Sequence, residues 1–461
     1  MQKIKAGLLL FYLKLYDEVM PELRNEFRPF ISKIEENLKD RGIEVNVSRI
    51  CRVESEFIEA IKEFELKNTD VIITLHLAYS PSLESAQALK STKIPIVVFD
   101  TTLKNDFSSG TTGDDIMENH GIHGVQDMCN ILLRNKKHFL LTAGYHEDEK
   151  TLEDLYRNIM AAKLFRKFST SRVGSLGGSF YGMGDFFVAK DVLFKSLGIN
   201  VVETDFKDVA KLMPDSGNKM LIEEMNLDIK NYSITFDDDK VHEDSNRIGL
   251  AVRQWVTGNN LDAFTMNFSK LDSTSGFPTI PFLEASKMMA SGKGFAGEGD
   301  TLTSAFVGAL LSVFKETTFT EMFCPDWQKN MVFLSHMGEV NVDLLAGRPS
   351  LIKKELPFIK VGAPAFAVGQ LKGGKALYVN IAPSIDGYRL IISSIDMVEI
   401  KNTLPQSLSG WFKPNIAVSQ FLGRYSELGG THHSALVYGN DSDLKVIEKF
   451  GHLAGIETIT I

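Results

Sequence analysis

A chain of 461 residues with 44 % apolar and 24 % charged side chains is long enough for two or three domains, each with its own core. Its net charge of -9 leaves no basic stripe to track phosphates, which excludes a nucleic-acid or anionic-membrane surface and points to small molecules or further copies of the chain as partners. Three cysteines, Cys51, Cys129 and Cys324, form neither a CxxC pair nor an even disulfide framework and read as buried or inert thiols of a cytoplasmic protein.

The opening stretch MQKIKAGLLLFYLKLYDEV places lysines before a short apolar run, as a signal peptide does. Lys14 and Asp17 break the run and no small-residue cleavage site follows, so a first β-strand is the expectation. No window approaches the roughly 18 to 20 apolar residues that cross a bilayer. From residue 4 to about 150, short apolar runs (KAGLLLFYL, IEVNVSRIC, DVIITLHLA, IPIVVFDT, HFLLTAGY) alternate with amphipathic stretches such as EFRPFISKIEENLKDRG and ESEFIEAIKEFELKN. That alternation predicts βαβ crossovers and a parallel sheet covered on both faces. Ligands gather at the carboxyl ends of such strands. This puts HLAYSPS (76–82), FDTTLKND (99–106) and GYHED (144–148) on the functional edge.

A second α/β series starts near Arg172, with SRVGSLGGSF, INVVETDF and LDAFTMNF as strands and DFFVAKDVLFKSLG as a helix ending at Gly198. Beyond about residue 320, NMVFLSHMGEVNV, ALYVNIAPSIDGYRLIISSIDMVEI and NIAVSQFLGRYSE predict a β-rich region. The expected fold class is α/β, two doubly wound parallel-sheet units followed by a β-rich C-terminal domain, with boundaries at 1–171, 172–319 and 320–461. The acidic triplet at 237–239 reads as a solvated loop.

The glycine-rich stretch GSLGGSFYGMGD (174–185) fails the GxGxxG spacing. SGKGFAGEGDT lacks the Lys-Ser or Lys-Thr of a phosphate loop, so no nucleotide cofactor is expected. Acids and imidazoles of the second half carry more. Glu298 sits between glycines ahead of the helical stretch LTSAFVGALLSVFKE, which Asp300 or Thr301 can cap and whose Leu302, Phe306, Leu310 and Phe314 mark one buried face. Glu321 lies among apolar and β-branched neighbours in TTFTEMF, where an unpaired acid is costly. His336 falls on the apolar face of MVFLSH, and His432 and His433 form a pair in GGTHHS. Singly, these are a turn acid, a strand acid, a core histidine and a polar loop. Together they make a carboxylate and imidazole set suited to manganese or cobalt. Zinc accepts the same groups, but the two acids and the lack of cysteine fit an open catalytic site better than a closed structural one.

At these residues the sequence resembles the L-arabinose isomerase family, within the wider L-fucose/L-arabinose isomerase group. GFAGEGD, the acid in FTEMF, SHMGEV and GGTHH are similar to that family's metal-ligand segments in order and spacing, and HLAYSPS, NHGIHG (119–124) and AFTMNF (263–268) extend the match. The resemblance implies two α/β domains and a β-rich third. It implies a divalent metal, Mn2+ first with Co2+ or Mg2+ as alternatives, held by Glu298, Glu321, His336 and His433, with His432 facing the sugar. It also implies a homo-oligomer, trimer or hexamer, in which the N-terminal unit of one chain brings His123 to the site of another. Glu298 and Glu321 would be base and acid of an aldose–ketose isomerisation through a cis-enediol, with Tyr79, Met183 and Phe268 as an apolar wall around an unphosphorylated, L-arabinose-like sugar. Two departures bear on the substrate. No glutamine stands between residues 7 and 17, where family members have a sugar-contacting one, and Asn119-His120 replaces an Asn-Gln pair. An isomerase or epimerase for another sugar, such as an L-fucose-like deoxyhexose, and a non-catalytic sugar-binding relative are the alternatives.

Overall fold

The apolar run after Lys5 forms β1 (Lys5–Phe11) of the computed structural model, which describes residues 3–357, 360–400 and 404–461. With β2 (Glu44–Cys51), β3 (Val71–His76), β4 (Ile96–Asp100) and β5 (Leu140–Ala143) it builds a five-stranded sheet in the order β2-β1-β3-β4-β5, every pairing parallel. Parallel strands need crossovers, and the amphipathic stretches supply them. Phe30, Ile34 and Leu38 recur every fourth position along Arg28–Asp40, and Phe57, Ala60, Ile61 and Phe64 line the buried face of Glu54–Leu66. Those of Glu54–Leu66 cover a core of Leu9, Phe11, Ile72, Ile96 and Val98. The chain divides into two compact units, and this sheet belongs to the first, Met1–Arg166 with Lys445–Gly455.

The other unit, Lys167–Leu444 with Ile456–Ile461, starts with a parallel sheet of β6 (Arg172–Leu176), β7 (Asn200–Thr204), β9 (Ala263–Met266) and β10 (Gly294–Ala296), ordered β10-β9-β6-β7. A small sheet joins β8 (Ser233–Ile234) to β13 (Ser350–Lys353) and β14 (Ala365–Val368). Then come β11 (Thr317–Asp326), β12 (Met331–Ser335), β15 (Gly374–Ser384), β16 (Gly387–Met397), β17 (Gly410–Pro414), β18 (His433–Tyr438) and β19 (Glu457–Thr460). Their order is β15-β18-β11-β12-β17-β16-β19, and β15 also pairs with β16, so six strands close on themselves and no edge remains among them. Val332, Leu334, Tyr378, Ile391, Phe412 and Leu436 fill this barrel-like core. The α/β units and the β-rich region are those expected.

Several local expectations are corrected. NIAVSQFLGRYSE, read as strand-like, contains the helix Val418–Glu427, whose Val418, Phe421 and Tyr425 have helical spacing and pack on the barrel. The helix expected from Asp185 begins only at Lys190, although it ends at Gly198 as foreseen, with that glycine in the left-handed conformation. Thr301–Leu311 stops short of the predicted end and is buried nearly all round, all but Thr301 and Gly308, rather than on one face. The triplet at 237–239 is loop at Asp237 and Asp238 as expected, but Asp238 caps the helix Asp239–Gly258, which takes in Asp239, and pairs with Lys353. Cys51 is buried and Cys129 partly so, but Cys324 is exposed on β11; all three are free thiols. Among the described residues, no helix is long and apolar enough to cross a membrane.

Candidate metal centre

Strand register brings the first groups together. Glu321 on β11 lies directly across from His433 on β18 and from Ser335 on β12, and His336 follows Ser335 at the strand's end. Because side chains alternate across a sheet, a slip of one residue would turn Glu321 away from both neighbours. Phe319, two positions earlier on the same face, sets its ring edge-on to His336 and His433, with centroids 5.0 Å from each.

Glu298 arrives from the parallel sheet. β10 ends at Ala296, Gly297-Glu298-Gly299 turns the chain, and Asp300 opens the helix Thr301–Leu311 with Oδ1 accepting from the Thr303 N–H at 2.8 Å. Glu298 holds a left-handed backbone at φ 61°, a region that non-glycine residues enter at a cost of roughly 1–2 kcal/mol. Its neighbours must be small. A Cβ on Gly299 would lie 2.2 Å from the Gly178 carbonyl oxygen, and one on Gly297 3.2 Å from the His336 ring.

The side chains converge. His336 Nε2 is 3.1 Å and His433 Nε2 3.2 Å from Glu321 Oε1, while His433 Nε2 and His432 Nε2 lie 3.4 Å and 3.5 Å from Glu298 Oε2. One donor atom from each of Glu298, Glu321, His432 and His433 falls within 4.8 Å of all the others. His336 stands beside that group of four, reaching it through Glu321.

A second layer of acids orients the rings. His336 Nδ1 meets Glu339 Oε2 at 2.6 Å, His433 Nδ1 meets Asp300 Oδ2 at 2.9 Å, and His432 Nδ1 meets Asp185 Oδ2 at 2.7 Å. Each imidazole thus turns Nδ1 outward to a carboxylate and Nε2 inward, the arrangement that fixes tautomer and aim in metal-ligating histidines. Sequence reasoning took Asp300 as a cap only and passed over Glu339 and Asp185. The interval from His336 to Glu339 within SHMGEV was the available signal, while Asp185 lies too far from His432 in the chain to give one.

Burial opposes ionisation of Glu298, but the contacts to His432 and His433 outweigh it and hold the carboxyl down at about 2. Glu321 is likewise pulled below the usual carboxylate range, against burial, by His336 and His433. The rings move the other way. Against burial, Glu339 and Glu321 lift His336 to about 10, and Asp300, Glu298 and Glu321 raise His433 well above its ordinary 6.5. Carboxyl groups outnumber imidazoles five to three here, an environment that favours a cation. Two buried atoms, Glu321 Oε1 and His433 Nε2, make no hydrogen bond despite their proximity. Buried polar atoms are rarely left so, and oxygen and imidazole donors aimed at one spot suit a divalent ion.

Of the remaining sequence-predicted residues, Met183 is half-buried in the segment after β6 that also carries Asp185. Phe268 packs on Phe180, with centroids 5.5 Å apart, and the Phe180 N–H donates to the Glu298 carbonyl. His123 and Tyr79 belong to the first unit. His123 is exposed, its ring 5.8 Å from that of His120, and Tyr79 is half-buried in the turn after β3.

Fold and cluster together define an α/β protein with a barrel-like β region that carries the donor set of a divalent-cation site. The model of the L-arabinose isomerase central domain matches residues 195–316, and that of the L-arabinose isomerase C-terminal domain matches 316–457. The chain belongs to the L-arabinose isomerase family, a family of sugar isomerases. It is 26 % identical over 421 residues to the L-arabinose isomerase of Flavobacterium johnsoniae, covering 86 % of this chain and 81 % of that one. To the L-arabinose isomerase of Shouchella clausii it is 24 % identical over 405 residues, covering 85 % and 81 %. A solved periplasmic solute-binding protein of Actinobacillus succinogenes with bound D-allose matches 68 % of this chain and 92 % of that one at 14 % identity, but its TM-score of 0.18 bears on neither fold nor function.

Proposed function

We propose that this protein is a divalent-metal-dependent aldose–ketose isomerase for an unphosphorylated sugar, working through a cis-enediol. The observation that carries the reading is the pair of buried, hydrogen-bond-free atoms Glu321 Oε1 and His433 Nε2 within a group of converging donors. Glu298, Glu321, His336 and His433 would hold the ion, Mn2+ first and Co2+ or Mg2+ as alternatives, with His432 left to face the sugar. When bound, such an ion supplies Lewis-acid stabilisation of the negative charge that develops on the two sugar oxygens.

The chain's own groups handle the protons. One carboxylate of the Glu298 and Glu321 pair accepts the proton from carbon 2 of the open-chain aldose, and the C–H electron pair becomes the C1=C2 bond of the enediol. The carbonyl oxygen on carbon 1 takes up a proton. The hydroxyl on carbon 2 then surrenders its proton as a proton is returned to carbon 1, which leaves the ketose carbonyl at carbon 2. Removing a proton beside a carbonyl requires a base that is ionised at working pH, and the depressed Glu298 and Glu321 satisfy this. Met183 and Phe268 would wall the sugar, and the glycines flanking Glu298 let the acid sit at the rigid entrance of a helix.

The same reading takes 1–171, 172–319 and 320–461 as domains of a cytoplasmic homo-oligomer, trimer or hexamer. The first domain would close a neighbour's site with His123 and Tyr79. Tyr79 follows the end of β3 and His123 lies in the first turn of the helix Ile122–Arg134, and the order β2-β1-β3-β4-β5 supports a ligand-facing role at the carboxyl edge, because the winding of the crossovers reverses between β1 and β3. At that edge Tyr16 Oη and His120 Nε2 are 2.9 Å apart, and His120 standing where the family has glutamine supports a sugar-contacting shell that differs from the family's, so that an L-fucose-like deoxyhexose is the alternative to an L-arabinose-like substrate. The test is purified protein with Mn2+ in deuterated buffer against a panel of pentoses and hexoses, read by NMR. Loss of the carbon-2 proton signal with conversion to ketose is expected for one or more sugars. Glu298→Gln should abolish it while calorimetry still detects cation binding. No exchange with any sugar overturns the isomerase reading.

A further inference from the structure

Residues 177–189, between β6 and the helix Lys190–Leu197, are fastened to both halves of the cluster. Toward the Glu298 turn, the Phe180 N–H donates to the Glu298 carbonyl at 2.8 Å and the Ser179 hydroxyl to the Gly299 carbonyl at 3.1 Å. Asn267 Nδ2 in turn donates to the Ser179 carbonyl at 2.9 Å. Toward the histidine pair, Asp185 Oδ2 accepts from the His432 backbone N–H at 3.0 Å and meets His432 Nδ1 at 2.7 Å. Phe186 stacks on the His433 ring at 4.6 Å and 15°.

Two bonds from one residue to one oxygen do more than either alone. The backbone bond sets where the His432 Cα sits relative to Asp185. The ring bond then fixes the rotation of the imidazole, and a carboxylate partner requires that Nδ1 carry the proton. His433 and His336 obtain the same service from the buried Asp300 and Glu339. His432 differs in obtaining it from a partly exposed acid on a connecting segment, whose side chain is 39 % accessible.

We propose that Asp185 is a positioning residue for His432, fixing the ring so that Nδ1–H points outward and Nε2 faces Glu298 and the space where the sugar would lie. The effect on turnover rests on the isomerase reading. The effect on the ring does not.

The test uses wild type, Asp185→Ala, Asp185→Asn, His432→Gln and the Asp185→Ala/His432→Gln double variant. In the cation-free protein, 15N-edited NMR should find a downfield, exchange-protected Nδ1–H of His432, identified by its loss in His432→Gln. It should vanish in Asp185→Ala and persist in Asp185→Asn, whose Oδ1 can accept the same two bonds. With Mn2+ and a turned-over sugar, kcat should fall about 10- to 100-fold in Asp185→Ala with KM changed far less, and Asp185→Asn should recover most of it. On the His432→Gln background, Asp185→Ala should change kcat less than about 2-fold, because a positioning residue has nothing left to position. Survival of the resonance in Asp185→Ala overturns the proposal, as does an equal kcat loss on both backgrounds. An enzyme inactive on every sugar would sink the isomerase reading, and the resonance would still decide on Asp185.

Discussion

Two histidines at strand ends, both sealed from water, meet opposite fates in the two units. His76 closes β3, stacks on Phe11 with centroids 4.3 Å apart, and lies so close under the helix Ile122–Arg134 that a Cβ on Gly124 would fall 2.5 Å from its ring. Neither of its nitrogens has a hydrogen-bond partner, and burial pushes its proton affinity down to about 3, with Asp127 the sole opposing influence. His433 opens β18 under equal burial, yet its carboxylate neighbours overcome the desolvation and raise it. Burial alone therefore says nothing about what a histidine does. What matters is whether acids reach the ring: Asp300 and Glu298 from the turn that opens the helix Thr301–Leu311, and Glu321 across the strand pair, meet His433, whereas no acid hydrogen-bonds His76.

The contrast breaks most sharply at Glu321. Glu321→Gln keeps the shape but removes the charge that faces both His336 and His433, so the cluster should lose cation affinity and the rate of carbon-2 proton exchange should fall by about 10^2- to 10^4-fold. Calorimetric titration with Mn2+ and the deuterium wash-in rate check it together. A variant that kept both properties would reduce Glu321 to the strand acid that its sequence neighbours allow.

At His76 the comparison sharpens through pH. Its folded-state value of about 3 lies below the ordinary 6.5, so between these limits the unfolded chain binds the proton and the folded one does not. Stability from this residue is complete above pH 6.5 and is lost as pH falls toward 3, at a slope approaching 1.4 kcal/mol per unit by linkage, roughly. His76→Gln removes the titration. Urea unfolding at pH 7 and pH 5, or hydrogen exchange in β3, should show wild type losing about 1–2 kcal/mol more than the variant over that interval. Parallel losses in the two proteins would mean that another group sets the acid limit.

The legibility of the chain divides along similar lines. The parallel-sheet strands could be read because buried βαβ strands are continuous apolar runs bounded by charged helices, and KAGLLLF and VIITLH leave no competing period. The helix Val418–Glu427 could not, because Ile416 and Ala417 precede it and lengthen its short apolar rhythm into an apparent strand. In the site, the residues that face the cation position stood out as acids and imidazoles in apolar or glycine-rich settings. The acids behind them did not. Asp300 looks like an ordinary N-cap because one of its oxygens is an ordinary N-cap, and the other reaches His433 only after β18 has paired with β11. Asp185 and His432 sit on segments that meet only in the folded unit.

The smallest effect lies in the same barrel-like sheet and tests burial from the opposite side. Lys375 on β15 and Asp396 on β16 are direct cross-strand partners at 2.7 Å, as close as the groups of the cluster, but their side chains are 74 % and 44 % accessible. Water already solvates both charges, salt screens them, and holding a lysine in one rotamer costs entropy that the contact must offset. Asp396→Ala should therefore change stability by less than about 1 kcal/mol, and the change should shrink further in 0.5 M salt, where the screening length falls to about 4 Å. Denaturant melts at low and high salt read both numbers. A loss there as large as that from breaking a buried pair, roughly 3–5 kcal/mol, would mean that cross-strand registry rather than burial makes carboxylate contacts count in this sheet. The distinction drawn between His433 and a surface pair would then fail.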